Sequence, residues 1–154
     1  MRQLRCGSTS LRSDLVTTPT GRDLISAIDA VATTRGIELG DAAMLVMTKI
    51  TEQMAALPEQ LLDGLTAARQ RWVTRSEQPE GLTPWRVAAW EFLDAKNGSS
   101  TEIADDEDAA VRALICVLWD EGITSADDYD MTLDFFLHLI GRFGSLELPA
   151  IDDR

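Results

Sequence analysis

Asp130, Asp134 and His138 recur at intervals of four residues. On a helix that spacing sets them in a row along one side. Two carboxylates and an imidazole are ligand types for Zn²⁺, Mn²⁺ or Fe²⁺, so the row is a candidate metal site and the basis for a metal-assisted enzyme. A straight row on one helix offers one ion at most two good ligands, and another helix has to supply the rest. The chain has a single histidine, which excludes paired Glu-x-x-His di-iron motifs and a three-histidine site. The plainer account is an exposed i, i+4 pair of Asp134 and His138.

Cys116 follows Arg112 by four residues, and a neighbouring guanidinium favours the thiolate. The surrounding run A-A-V-R-A-L-I-C-V-L-W is so apolar that Cys116 is expected as a small core residue instead. Cys6 and Cys116 form no C-x-x-C pair. Both read as reduced thiols, and a cytoplasmic protein is expected.

The third candidate is acidic. Asp105, Asp106, Glu107 and Asp108 form one cluster; Asp127, Asp128 and Asp130 form another. Such carboxylates can meet a basic protein partner by charge complementarity. They are also what the first turn of a helix prefers, where they face free N–H groups and the positive end of the dipole. The net charge is −12, and its distribution is uneven. Up to Arg75 nine basic residues stand against eight acidic ones; from Ser76 onward five stand against eighteen. That half lacks the basic footprint nucleic acid requires. No G-x-S-x-G, no phosphate-cradling G-x-x-x-x-G-K-[ST] and no calcium-loop spacing occurs. The balance is against an enzyme, and no cofactor is expected.

Helices must position these groups. Apolar spacing predicts a first helix from after Thr20 to about Thr34, closed by Gly36 and Ile37. A second is predicted from Ala42 to about Ala56 with Asp41 as cap, and a third from Pro58 to Thr74. Met44 and Leu45 fall outside the apolar stripe of the second, as residues half-exposed or meeting a second layer such as a subunit. Thr83-Pro84 starts a fourth helix that ends at Asn97-Gly98, with Trp90 off its apolar face, so that the helix is either covered on two sides or presents an indole to a partner. Asp105 caps a fifth helix, apolar on nearly all sides and closed by Gly122. Ser125 and Asp128 form a capping-box pattern for a sixth, which buries Tyr129, Leu133, Phe136, Leu137, Ile140 and Phe143. His138 falls opposite that stripe.

No alternating β pattern is present, and no run approaches the roughly 18 apolar residues of a membrane helix. The first residues are basic but lack a signal peptide's apolar core. The expectation is an all-α, single-domain bundle of five to six helices whose innermost helix covers about 106–121. Residues 1–20 form an irregular arm, 21–143 the helical domain and 144–154 a tail along the surface. Functionally, the expectation is a non-enzymatic acidic interaction protein that binds or inhibits a basic protein partner. The metal-assisted enzyme and a homo-oligomeric structural module are the alternatives.

Overall fold

Thr20 and Asp23 open the fold with a reciprocal cap. The Thr20 hydroxyl accepts from the Asp23 amide at 3.1 Å, and the Asp23 carboxylate accepts from the Thr20 amide at 3.2 Å. The computed structural model describes residues 19–98, 100–144 and 146–149. Cys6 and nearly all of the expected N-terminal arm therefore lie outside the described residues. Helix α1, Gly21–Arg35, ends at Gly36 with φ of 65°. There the Ile37 amide closes on the Ala32 carbonyl at 3.1 Å, the Schellman-type end that its sequence predicts.

Helix α2, Leu39–Thr51, differs from its prediction at both ends. It starts after Glu38, and Asp41 lies in its first turn, paired with Arg75 at 3.0 Å. It stops short of Ala56 through tight turns in which Gln53 and Met54 donate to Ile50 and Thr51. Leu57 precedes Pro58, which disfavours helical geometry there, so the chain has to leave α2 before that point. The hydroxyls of Thr48 and Thr51 are satisfied inside the core by the Met44 and Met47 carbonyls, at 2.7 and 2.8 Å. Met44 and Leu45 are buried, not half-exposed, because α2 is packed by α1, by the third helical run and by the fifth helix.

The predicted third helix is one run in three windings: a 3-10 turn Glu59–Leu61, α3 Leu62–Ala68, and a π turn Arg69–Val73. The π turn carries Arg71 and Trp72, which reach across the molecule as described below. Helix α4 spans Thr83–Asn97, with Pro84 in its first turn. Thr83 is its first helical residue and not its cap. The capping work is done from elsewhere: the Leu82 amide donates to Asp120 Oδ1 at 2.7 Å and the Thr83 hydroxyl to Oδ2 at 3.2 Å.

Helix α5, Asp106–Cys116, is capped by Asp105 and buried at every position from Asp108 onward. It ends five residues before the expected 121, and Val117–Gly122 is a turn. Helix α6 is Ala126–Ile140, with Leu133, Phe136, Leu139 and Ile140 buried. Arg142, just past α6, lies 3.4 Å from Asp106 at the start of α5, so the two helices run antiparallel.

Of the expected tail, residues 146–149 lie against the fold, and residues 145 and 150–154 lie outside the described residues. Leu146 is buried, and the Gln53 amide clasps the backbone of Glu147 from both sides. It donates to the Glu147 carbonyl at 2.7 Å and accepts from the Glu147 amide at 2.8 Å.

The architecture is thus the expected all-α bundle, with six α-helices and no strand among the described residues. Its core is continuous, with α2 and α5 inside and α1, α4 and α6 around them. Among the described residues no helix is long and apolar enough to cross a membrane.

Candidate functional site

Each carboxylate of the cluster at Asp105–Asp108 has a cation of the same chain beside it. Lys96 Nζ bridges Asp105 at 3.0 Å and Glu107 at 2.8 Å, and Arg142 approaches Asp106. The Lys96 ammonium is held above its ordinary range by its bonds to Glu107 and then Asp105. The Asp105 carboxyl is held below its own, first by the Asp108 amide and then by Lys96. Asp108 is a different kind of residue, because its side chain is 0% exposed. It forms an ion pair with Arg112 and accepts from Asn97 Nδ2 at 2.7 Å and the Ala104 amide at 2.9 Å. Arg112 also donates to the Ser100 carbonyl at 2.9 Å. Asp108 therefore anchors the loop before α5 to the helix itself and offers no surface to a partner.

The second acidic group sits at the start of α6. The Ser125 hydroxyl accepts from the Asp128 amide at 3.0 Å, and the Asp128 carboxylate accepts from the Thr124 amide at 3.1 Å. This is the predicted cap with its return bond shifted one residue outward. Asp127 and Asp130 are exposed.

Asp130, Asp134 and His138 are all exposed on α6. Among the described residues no three His, Cys, Asp or Glu side chains are grouped so as to hold a metal ion. His138 instead borders a cavity of about 470 Å³ together with Phe135, Arg142 and the 101–103 segment.

Cys116 is buried, and the guanidinium of Arg112 is engaged by Asp108. Desolvation pushes the thiol up from 9.0 to about 12. Below pH 9 the thiol is protonated in folded and unfolded chains alike, and its burial stabilises fully. Between pH 9 and about 12 the unfolded chain loses the proton first, so stability falls as pH rises. Cys116→Ala removes that contribution. The stability gap between wild type and variant, read from urea unfolding, should narrow from about pH 8 to about pH 11. A gap constant across that range would rule out the buried thiol as its source.

Cys116 also lies on the floor of the most conspicuous surface feature. Trp90 on α4, Trp119 on the turn after α5, and Met131 and Phe135 on α6 are large apolar side chains left exposed, Met131 by 71%. All four line one cavity of about 600 Å³, with Met44 and Ile115 below and Glu121 and Asp128 on its edge. Exposed apolar side chains scattered singly are ordinary; four around one concavity make it the candidate site.

The wall carrying Trp119 and Glu121 is built by donors from other segments. Trp72 Nε1 donates to the Val117 carbonyl at 2.8 Å, Arg86 to Leu118 at 2.9 Å and Arg71 to Asp120 at 3.1 Å. These carbonyls follow α5, where cations and N–H donors are favoured. The Arg86 guanidinium also stacks 3.9 Å above the Trp119 ring. Gly122 has φ of 68°, and a Cβ there would meet Trp72 at 3.1 Å, so only glycine fits both backbone and space.

Sequence reasoning singled out Trp90 but missed Trp119, Met131 and Phe135. The signal was present: Met131 and Phe135 sit at i, i+4 on the side of α6 away from its core stripe. The fold and this groove together define an all-α bundle with an aromatic-walled, acid-edged concavity. Comparison with protein-family models, with curated proteins and with solved structures finds no match to this chain.

Proposed function

We propose that this is a non-enzymatic interaction protein that takes a basic segment of a protein partner into the Trp90–Trp119–Phe135 groove. One observation carries the reading: four exposed large apolar side chains converge on a single cavity with carboxylates on its edge. Tryptophan anchors in a desolvated pocket supply most of the energy of such contacts, and surrounding charges supply steering and selectivity. The acidic face of this reading is Glu121, Asp127, Asp128 and Asp130. Asp105, Asp106 and Glu107 are already paired by Lys96 and Arg142, and Asp108 is buried. A cytoplasmic, reducing setting goes with the reading, since Cys116 then remains a thiol.

The test is a pull-down with the full chain and a Trp90→Ala variant at low and high salt. A basic partner should be retained by the wild type at low salt and released as ionic strength screens its contacts. Trp90→Ala should lower its affinity at least about tenfold, because an aromatic anchor is removed from the groove. Trp90 is exposed, so the variant's melting temperature should stay within about 2 °C of wild type. Retention that ignores both salt and Trp90 sinks the reading.

A further inference from the structure

Two of the groove's walls answer to one side of α4. Thr83, Arg86 and Trp90 follow one another there at three- and four-residue steps. Thr83 and the Leu82 amide before it are bonded to the Asp120 carboxylate, so the start of α4 is docked on the turn that carries Trp119. One helical turn on, Arg86 donates to the Leu118 carbonyl at 2.9 Å and lays its guanidinium 3.9 Å from the centre of the Trp119 ring. About 6 Å further along the same side, at 1.5 Å per residue, Trp90 lines the cavity.

Arg86 does not line that cavity, whereas Trp119 does. The guanidinium therefore backs the indole from the side away from the groove. Trp119 is 42% exposed, and its indole N–H has no acceptor among the described residues. An exposed side chain so placed has other rotamers open to it, and ordering it when a partner binds costs affinity. The stack on Arg86 removes that freedom beforehand.

Trp72 and Arg71 hold backbone carbonyls of the same turn, but of the three donors Arg86 is the one also stacked on the indole. Arginine suits both tasks at once. Its flat plate covers a ring while an N–H at its edge meets a carbonyl, which a lysine ammonium cannot do.

We propose that Arg86 is a positioning residue of the groove. It acts through Trp119: by clamping Leu118 and the indole to the side of α4 that bears Trp90, it sets the aromatic wall before any partner arrives. The role presupposes that the groove is the binding site.

Two variants of the full chain test this. Arg86→Lys keeps the charge and a donor for Leu118 but loses the plate; Arg86→Met loses plate, charge and donor. The readout that needs no ligand is NMR relaxation of the indole N–H groups. In the wild type Trp119 should be as ordered as buried Trp72, with an order parameter of about 0.85. In both variants it should fall below about 0.6 while Trp72 is unchanged.

The second readout is the affinity of thioflavin T, a flat apolar cation suited to an acid-edged aromatic groove, followed by its fluorescence. Trp90→Ala should weaken its binding. Both Arg86 variants should weaken it about three- to tenfold, the cost of ordering one mobile side chain. Their melting temperatures should differ: Arg86→Lys within about 2 °C of wild type, Arg86→Met lower by about 3 °C or more, because the Leu118 carbonyl loses its donor.

Affinity that follows melting temperature, falling in Arg86→Met alone, makes Arg86 a structural prop and overturns the proposal. So does a Trp119 ring already mobile in the wild type, or one equally ordered in Arg86→Lys. Dye binding that needs Trp90 but ignores Arg86 leaves the groove standing and the positioning role lost. Dye binding and partner retention that both ignore Trp90 remove the groove reading, and the role of Arg86 goes with it.

Discussion

Asp108→Ala is expected to lower the unfolding free energy by about 3–5 kcal/mol, the cost of leaving one partner of a buried ion pair uncompensated. Asp108 is fully buried and Arg112 nearly so, which leaves the guanidinium no solvent to turn to. The bonds from Asn97 and Ala104 are lost at the same time, and with them two attachments of the segment before α5 to that helix. For a chain of this length the loss corresponds to a melting temperature lower by about 10 °C or more. The companion variant is Asp108→Leu with Arg112→Met. Removing both charges and refilling the space should restore most of the lost stability, since a packed apolar pair replaces a buried ion pair at little net cost. A single variant within about 1 kcal/mol of wild type would falsify the assignment of Asp108 as the buried anchor.

The second large effect belongs to Trp72. Its ring is almost wholly buried, and its indole N–H holds the Val117 carbonyl. Trp72→Ala should destabilise by about 3–5 kcal/mol, as expected for emptying an aromatic site in a core. Trp72→Phe separates packing from bonding. It keeps most of the apolar volume but orphans a buried carbonyl, at about 1–3 kcal/mol. Because Val117 begins the turn that carries Trp119 and Glu121, the phenylalanine variant should also weaken binding at the groove. Trp90→Ala should differ, weakening the proposed binding while leaving stability intact. If Trp72→Phe unfolds like wild type in urea, the bond to Val117 contributes nothing.

These two residues also mark how far the sequence could be read. Where a helix ends by local chemistry, the reading was close: Thr20 with Gly36, Asn97 with Gly98, Asp105, and Ser125 with Asp128. Those caps need only residues a few positions apart. The division of the third helix into 3-10, α and π windings was not legible, because it depends on what Arg71 and Trp72 reach on a distant turn. Nor was the end of α5, because the carbonyls of the turn that follows it are held by three side chains from elsewhere. The sequence could not tell Asp108 from Asp105, Asp106 or Glu107 either. All four look like acids of a helix start, Asp105 as its cap and the others in its first turn, and only the fold shows that one faces inward to Arg112. The groove was illegible for the same reason. Trp90, Met131 and Phe135 each depart from the apolar stripe of their own helix, but with Trp119 they come from three segments, and only the fold brings them to one concavity.

The turn behind Trp119 has a kinetic side as well. Its carbonyls are held by Arg86, Trp72 and Arg71, separated from them by 32, 45 and 49 residues. Contacts of such separation form only after the intervening chain has been ordered, and the loop-closure entropy must be met first. The individual helices can wind early, but this wall of the groove is a late product of folding. A collapsed intermediate with its helices formed and its side chains unsettled would have no binding surface to show. A nascent or loosened chain therefore lacks this groove until the whole bundle has closed.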